Sequence, residues 1–291
     1  MKILLATAGS RGDVEPFVAL GERALADGHE VRLVAPDNTG VDTGDLGVVS
    51  MGVDYTRIIE SQGVSPIAAL RSYRSIIEPT MRGVIVRGAQ AAFDYRPDVI
   101  VYHPKVASAP LVADALNIPH VLVEIVPALT PTRAFPAAGT VAHGVGALNR
   151  LTYQAVGAAS TMFRSDLADV RAMLGTPKRA PSSPAATLMP ISPSLLPRPS
   201  DWPASVHLTG AWARADHVPS LEPEVADFVA NGPFIYAGFG SMAMGDASAR
   251  GRALPAARDR GRRADGTRRR HRHGVVRTHR AALTLVYRSK H

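Results

Sequence analysis

Cysteine is absent from the 291 residues, which excludes disulfides, thiolate metal ligands and a cysteine nucleophile. Long apolar runs are absent as well, since no stretch of the sequence approaches the roughly 18–20 residues of a membrane-spanning helix. The N-terminal apolar run ends at Gly9 and is too short for a signal peptide. We therefore interpret this run as the first buried strand of a soluble, cytoplasmic protein.

Acidic residues are scarce at one end of the chain. Residues 250–291 contain 14 of the 33 lysine and arginine residues and only two acids, a net charge of +12. Residues 1–249 contain 19 basic and 23 acidic residues, a net charge of −4. The formal charge of +8 is thus the sum of an acidic body and a basic tail, and it is a poor indication of nucleic-acid binding.

Apolar runs alternate with helical patterns over residues 1–213, which predicts a doubly wound α/β domain around a parallel sheet. Pro16 is expected at the first position of the first helix, and Gly28 is expected to follow its end. Helices are predicted at 16–27, 66–93, 105–116 and 141–174, and strands at 2–7, 30–35, 48–53, 98–102, 120–125, 187–189 and 206–208.

The pattern changes after residue 213. Residues 214–232 are polar and proline-containing, and they are predicted to form an interdomain linker. Residues 233–249 begin with an apolar run that leads into a glycine turn, which predicts the start of a second, incomplete α/β domain. Residues 250–291 have almost no periodic apolar positions until 281–287, and we predict a disordered basic tail.

Three explanations of this tail are open. A frame change in a GC-rich coding sequence is the preferred one, because out-of-frame translation of such DNA yields mainly Arg, Ala, Gly and Pro. A functional basic arm would bind nucleic acid through counterion release. A naturally truncated regulator with a basic tail is the third. Sequencing the DNA around codons 242–252 distinguishes the first explanation from the other two.

The loop after the first strand is the first candidate site, because ligands bind at the carboxyl ends of the strands in open α/β sheets. Gly9, Ser10, Arg11 and Gly12 form this loop, and Asp13 places a carboxylate at the mouth of the following helix. The loop lacks both GxGxxG and GK[ST], so it is neither a dinucleotide fingerprint nor a P-loop. On pattern alone, Asp13 is equally well interpreted as a helix cap.

Two further groups of residues follow strands at the same predicted edge of the sheet. His103 comes directly after the strand at 98–102, and Thr130, Thr132, Arg133 and Phe135 lie in the proline-rich loop after the strand at 120–125. These side chains are candidates for binding an acceptor substrate. The alternatives are a hydrogen-bonded structural histidine and a rigid loop.

Longer strings of sequence carry a resemblance to a known family. GSRGDVEPFVALGERALADGHEVRLVAP at 9–36 resembles the N-terminus of GT-B glycosyltransferases, in the branch of sterol glucosyltransferases and antibiotic glycosyltransferases. Colinear strings at 102–119, 129–136 and 192–212 are similar to the sterol and glycolipid-like members, and the similarity ends with FIYAGFGSM at 234–242.

The resemblance implies a two-domain enzyme of the UDP-glycosyltransferase type. Such an enzyme transfers a hexose from a nucleotide sugar, UDP- or dTDP-linked, to a hydroxyl of a lipophilic acceptor, sterol-like or glycolipid-like. It inverts the anomeric centre and needs neither a metal nor another cofactor. The implied partners are therefore the acceptor and the nucleotide sugar, with no specific nucleic acid and with peripheral membrane contact through the lipid acceptor.

The resemblance also implies roles for particular residues. Asp13 matches the family's general base, and we expect burial to raise its pKa toward neutrality. Gly238, Gly240 and Ser241 match the loop that approaches the donor diphosphate. The family's histidine- and glycine-rich donor motif has no counterpart further along the chain, so we expect this chain to be inactive alone. A non-catalytic acceptor-binding module and a nucleic-acid binder acting through the tail are the alternative functions.

Overall fold

The computed structural model describes residues 1–55, 58, 73–214, 223–231, 234–238, 273–274 and 284–288. The chain divides into two compact units. The first contains Met1–Thr56 and Tyr73–Ala215, and the second contains Arg57–Ser72 and Asp216–His291. The predicted boundary at residue 213 stays a prediction.

A seven-stranded parallel sheet forms the centre of the first unit. Its strands are β1 (Lys2–Ala6), β2 (Glu30–Asp37), β3 (Gly47–Asp54), β4 (Val99–Tyr102), β5 (His120–Val123), β6 (Ala186–Met189) and β7 (Val206–Leu208). Their order in the sheet is β3-β2-β1-β4-β5-β6-β7. The order reverses between β1 and β4, which makes this the switch point where open α/β sheets bind ligands. The predicted fold class is confirmed.

Five helices of the first unit are described, and several of their boundaries differ from the predicted ones. They are α1 (Arg11–Ala26), α2 (Glu78–Tyr95), α3 (Ala109–Leu116), α4 (Asn149–Ala159) and α5 (Arg164–Leu174). The single helix predicted over 141–174 is two helices, separated by the 3₁₀ segment Ser160–Phe163. Residues 141–145 are not helical, and a 3₁₀ turn at Gly146–Leu148 precedes α4. The helix predicted from 105 begins at Ala109. The helix predicted from 66 is described only from a π-helical turn at Tyr73–Ile77 onward, since 66–72 lie outside the described residues.

The start of α1 corrects a second expectation. The helix begins at Arg11 behind the N-cap Ser10, so Pro16 lies inside it rather than at its first position. A proline at this depth leaves one intrahelical hydrogen bond unmade, because it has no N–H to donate to the preceding turn. The helix nevertheless extends forward to Arg11, and this places Asp13 within its first turn.

The core holds α1 firmly against the sheet. Val14, Phe17 and Val18 of α1 are fully buried, as are Leu5 of β1 and Leu33 of β2 in the same cluster. Burying one such side chain stabilises the fold by about 1.5–3 kcal/mol. Because Val14 and Phe17 lie within the first two turns of α1, this packing also fixes the position of residues 9–13 at the end of β1.

An ion pair ties the end of the first unit back to α1. The Arg214 side chain is only 9% exposed. Its Nε donates to Glu22 Oε2 at 2.9 Å, and its Nη1 donates to the Asp42 carbonyl at 2.8 Å. A second hydrogen bond joins Arg214 Nη2 to Glu22 Oε1. The segment after β7 is therefore anchored on α1, 192 residues away along the chain.

The second unit contributes one helix and three short strands to the described residues. They are α6 (Pro223–Ala230), β8 (Phe234–Gly238), β9 (His273–Gly274) and β10 (Thr284–Arg288), and β10 pairs antiparallel with both other strands. Two pieces of the predicted disordered tail are thus strands. The rest of 250–291 lies outside the described residues, where disorder stays a prediction. Among the described helices, none is long and apolar enough to cross a membrane.

Candidate active site

The loops after β1 and β4 meet at the switch point of the sheet. β1 and β4 are neighbours, with Ala6 paired to Tyr102, so the residues that follow them lie side by side. His103 Nε2 is 3.3 Å from Asp13 Oδ1, and Lys105 Nζ is 3.1 Å from Asp13 Oδ2. The structure therefore brings together two of the predicted site residues and adds a lysine.

The Asp13 carboxylate is held from its own loop as well. The backbone N–H of Ser10 donates to Asp13 Oδ2 at 2.6 Å, and the Ser10 hydroxyl donates to the same oxygen at 3.0 Å. The Thr7 hydroxyl donates to the Asp13 backbone carbonyl at 2.7 Å. The Asp13 side chain keeps 19% of its surface exposed, so a ligand can reach the carboxylate. Asp13 thus serves the helix start and remains accessible to a ligand at the end of β1.

The hydrogen bonds of His103 define its tautomer. The backbone N–H of Lys105 donates to His103 Nδ1 at 3.3 Å, which leaves that nitrogen without a proton. The neutral ring then carries its proton on Nε2 and donates it to Asp13 Oδ1. Phe17 packs against the ring edge-on at 6.4 Å, and the side chain is 8% exposed. His103 is accordingly a fixed donor that orients Asp13.

The pKa shifts of Asp13 and His103 correct the expectation that the pKa of Asp13 is raised. Burial alone raises the pKa of Asp13, but the hydrogen bond from His103 and the charge of Lys105 outweigh burial, so the pKa of Asp13 lies well below its ordinary value. Burial lowers the pKa of His103, more than the hydrogen bond to Asp13 raises it. At neutral pH the site thus contains a carboxylate, a neutral imidazole and an ammonium group.

Lys105 and Tyr55 were not predicted. The Lys105 ammonium lies 5.2 Å from the centre of the Tyr55 ring, and burial followed by the Asp13 charge raises the pKa of Tyr55. Lys105 lies two residues after His103 in the same loop, so the switch-point rule applied to the whole loop would have found it. Tyr55 follows β3, which is not adjacent to β4, and no sequence pattern indicates it.

Gly9 is the loop residue that must be a glycine. Its φ is +144°, and a Cβ on it would lie 2.0 Å from Asp13 Oδ2 and 2.6 Å from Lys105 Nζ. Gly12 has no such constraint, because a Cβ there would meet only the Ser10 hydroxyl at 3.8 Å. Arg11 is exposed and lies 3.6 Å from Glu15. The absence of a side chain at Gly9 therefore makes room for the Asp13 carboxylate.

The loop after β5 is organised by a carboxylate that the sequence analysis missed. Glu124 is fully buried, and its Oε2 accepts the backbone N–H groups of Ala128, Leu129 and Thr130 at 2.9, 2.7 and 3.3 Å. The Thr130 hydroxyl donates to Glu124 Oε1. The signal was its place directly after β5, at the same edge of the sheet as His103. Thr130 is buried, and its hydroxyl is already committed to this network.

Some of the other predicted acceptor residues already contact protein groups, and others are accessible to solvent. Thr132 is fully buried and its hydroxyl donates to Asp201 at 2.6 Å, whereas Arg133 is exposed. The Phe135 ring packs perpendicular to Trp202 at 6.0 Å. A pocket of about 470 Å³ lies beside this loop, and its lining comprises Leu129, Pro131, Arg150, Tyr153, Gln154, Asp201 and Pro203. The acceptor roles stay predictions, and the pocket is lined by neighbours of the predicted residues.

The donor side is described in part. Gly238 is the last residue of β8, whereas Gly240 and Ser241 lie outside the described residues. Their predicted contact with a diphosphate stays a prediction. Across the described ranges, no group of three or more histidine, aspartate or glutamate side chains is arranged to hold a metal ion.

Comparisons with known proteins agree with the fold. The glycosyltransferase family 28 N-terminal domain matches residues 3–78. O-mycaminosyltylonolide 6-deoxyallosyltransferase of Streptomyces fradiae is 30% identical over 268 residues, which are 80% of this chain and 59% of that protein. Sterol 3-beta-glucosyltransferase of Leptosphaeria maculans is 29% identical over 276 residues, which are 86% of this chain and 18% of that protein.

A solved structure supports the fold. CalG4, the calicheamicin glycosyltransferase, matches with a TM-score of 0.50 and 17% identity, over 72% of this chain and 52% of that one. The α/β fold of this chain is thus a partial match to the structures of GT-B glycosyltransferases. The chain carries a glycosyltransferase family 28 N-terminal domain and is homologous to sterol glucosyltransferases and macrolide glycosyltransferases. It spans 59% of the length of the macrolide enzyme and a smaller share of the sterol enzyme.

Proposed function

We propose that the first unit is the acceptor-binding half of an inverting glycosyltransferase. The complete reaction transfers a hexose from a UDP- or dTDP-sugar to a hydroxyl of a lipophilic acceptor. We infer the reaction and the acceptor class from the names of the relatives, since one is a sterol glucosyltransferase and the other is a sugar transferase that acts on a macrolide. The observation that carries the site is the accessible Asp13 carboxylate, held at the switch point by His103 and Lys105.

The geometry supports Asp13 as the general base. In an inverting transfer, the acceptor oxygen forms a bond to the anomeric carbon while the bond from that carbon to the diphosphate breaks. The acceptor O–H becomes acidic as its oxygen attacks, and Asp13 accepts the proton. Because the pKa of Asp13 is lowered, the carboxylate is ionised throughout the neutral range, but it is a weak base. Proton transfer is therefore expected late in the attack.

His103 and Lys105 have supporting roles in this proposal. His103 donates to Asp13 Oδ1, which orients the carboxylate, and its other ring nitrogen is occupied by the Lys105 backbone N–H. The imidazole therefore does not compete with Asp13 for the acceptor proton. The Lys105 ammonium keeps Asp13 ionised before reaction and stabilises the site while the negative diphosphate departs.

The transfer reaction tests the proposal. Residues 239–291 do not reproduce the family's donor motif, so we expect the 291-residue chain to bind acceptor without turning over nucleotide sugar. Fusing residues 1–238 to the nucleotide-sugar domain of a related transferase should yield transfer to a sterol or macrolide hydroxyl. In that fusion Asp13→Asn should lower kcat at least about 100-fold, which is the lower limit for loss of a general base.

Asp27→Asn is the matched control. Asp27 lies at the other end of α1 and its side chain is 49% exposed, so the same chemical change there should leave kcat within twofold. If the fusion transfers sugar and Asp13→Asn retains full kcat, Asp13 is a helix cap and not the base. If the fusion binds nucleotide sugar but neither binds nor glycosylates any lipophilic alcohol, the acceptor class is wrong.

A further inference from the structure

Another cavity of the first unit lies between α3, α5 and the loop that connects α5 to β6. Its volume is about 50 Å³, and its lining comprises Leu111, Asp114, Arg171, Thr176, Pro177 and Arg179. One water molecule needs about 10–15 Å³ of such volume, so this α3–α5 cavity has room for a small polyatomic ion. Because α3 and the loop lead into the amino ends of β5 and β6, the cavity lies near the edge of the parallel sheet opposite Asp13.

Local hydrogen bonds fix the loop against α5. Gly175 ends α5 in the left-handed conformation, and the Thr176 N–H donates to the Arg171 carbonyl at 3.0 Å. The Arg171 guanidinium closes the same turn, since its Nη1 donates to the Pro177 carbonyl at 3.0 Å. Arg171, Thr176 and Pro177 therefore have defined positions around the cavity.

Positive charge is concentrated at the α3–α5 cavity. Residues 171–185 contain Arg171, Lys178 and Arg179 and no aspartate or glutamate. In the part of the chain that the structure describes, none of these three side chains forms an ion pair. Arg171 uses one of its N–H groups for the Pro177 carbonyl, so most of its donors remain for a ligand.

Asp114 contributes a carboxylate to the lining, and the loop engages both of its oxygens. The Ser182 N–H donates to Asp114 Oδ2 at 3.1 Å, and the Ser182 hydroxyl donates to Asp114 Oδ1 at 2.5 Å. The same hydroxyl lies 3.1 Å from His120 Nε2 at the start of β5. Asp114 thus holds the loop in place, and the guanidinium groups of Arg171 and Arg179 give the lining a net positive charge.

The Thr176 hydroxyl is an unused polar group of the same cavity. Thr176 Oγ1 is buried, and it has no hydrogen-bond partner among the described residues. Buried hydroxyls in native structures are mostly paired, because an unpaired one loses its hydration without compensation. An oxyanion would accept hydrogen bonds from this hydroxyl and from both guanidinium groups, and phosphate matches the planar donor fork of arginine.

We propose that the α3–α5 cavity binds a phosphate group through Thr176, Arg171 and Arg179. The ligand is inorganic phosphate or the phosphate group of a larger molecule, since both present the same oxygens. Binding links α3, α5 and the loop before β6, so it stabilises the folded first unit. The proposal does not depend on glycosyl transfer.

Calorimetric titration of the full chain with inorganic phosphate tests the proposal, in about 0.15 M NaCl to screen the basic tail. We expect saturable binding of one phosphate per chain, and we expect Thr176→Val and Arg179→Gln each to weaken it about tenfold. Thr161→Val and Arg164→Gln are the matched controls, because they make the same changes at exposed positions outside the cavity. Each control should change the affinity by less than about twofold.

Methyl phosphate is the second probe and distinguishes the two sources of the ligand. Binding of methyl phosphate and inorganic phosphate with similar affinity supports a site for the phosphate group of a larger molecule. Binding of inorganic phosphate alone supports a site for the free ion.

Thermal unfolding separates a binding role of Thr176 from a structural one. Without phosphate, Thr176→Val should unfold at the wild-type temperature or above it, because valine removes an unpaired buried hydroxyl. Phosphate should raise the unfolding temperature of the wild type and raise that of Thr176→Val much less. Equal stabilisation of the two proteins would assign phosphate binding to the 13 arginines of 250–291 and overturn the proposal. A wild-type chain that binds no phosphate would overturn it as well.

Discussion

Replacing Asp13 by asparagine removes one charge and one acceptor from a site that contains four donors. The donors are the Ser10 N–H, the Ser10 hydroxyl, Lys105 Nζ and His103 Nε2, at 2.6, 3.0, 3.1 and 3.3 Å. The asparagine oxygen can replace Oδ2, which three of the donors share. Its NH₂ group then faces the N–H of His103. The ring cannot relieve this by moving its proton, because His103 Nδ1 already faces the Lys105 N–H.

The cost follows from these contacts. A hydrogen bond to a charged group contributes about 1.5–3 kcal/mol, and a buried donor left without an acceptor costs about 1–3 kcal/mol. Because the carboxylate is partly exposed and burial opposes its charge, we expect Asp13→Asn to lower the free energy of unfolding by about 2–4 kcal/mol at pH 7. Urea unfolding followed by circular dichroism measures this difference, and Asp27→Asn, an exposed control, should cost less than about 1 kcal/mol.

The pH dependence gives the same prediction a second readout. The pKa of Asp13 is lower in the folded protein than in the unfolded chain, where it is about 3.9. Its contribution is therefore complete above about pH 5 and is lost as the pH falls below 4. The gap between wild type and Asp13→Asn should close over that range. A gap that is absent at pH 7, or that persists unchanged at pH 2, would refute this account of the site.

Substitutions at three other positions, Gly9, Glu124 and Arg214, test further contacts of the first unit. Gly9→Ala should lower the free energy of unfolding by about 1–3 kcal/mol more than Gly28→Ala. Both glycines have a positive φ, but only at Gly9 would a Cβ collide with the Asp13 carboxylate. Equal losses of stability in urea unfolding would contradict this close contact. Glu124→Ala should lower the free energy of unfolding by at least about 3 kcal/mol, because it leaves three backbone N–H groups unpaired. Glu124→Gln should lower it by about 1 kcal/mol and keep the loop in place. Similar losses of stability in the two variants would show that the hydrogen-bond network is unimportant. Arg214→Ala should cost about 2–3 kcal/mol and increase amide hydrogen exchange after β7, and unchanged exchange would show that the ion pair does not anchor that segment.

The sheet was predictable because parallel strands covered on both faces are continuous apolar runs. All seven strands lie within a few residues of their predicted positions, even the three-residue β7. Helix boundaries were less predictable. Pro16 favoured a later start for α1, but capping by Ser10 and burial of Val14 and Phe17 outweigh the lost hydrogen bond. Local propensity is a weak guide where tertiary packing of this size acts.

The site was predictable only in outline. The switch-point rule located Asp13 and His103 from strand positions alone, and the structure places them in contact. The predicted direction of the Asp13 pKa shift was wrong. The shift depends on Lys105 and on the tautomer of His103, and a sequence pattern reveals neither. Similarly, nothing in the Thr130 and Thr132 positions showed that their hydroxyls bind Glu124 and Asp201.

The central claim is that Asp13 meets the acceptor hydroxyl at the switch point between β1 and β4. Calorimetry on the 291-residue chain, with a sterol and its O-methyl ether supplied in cyclodextrin, tests this claim most directly. The account predicts that the free alcohol binds about tenfold more tightly than the ether, and that Asp13→Asn removes the preference while Asp27→Asn retains it. Equal binding of alcohol and ether by the wild-type chain, or a preference that survives in Asp13→Asn, would contradict the claim.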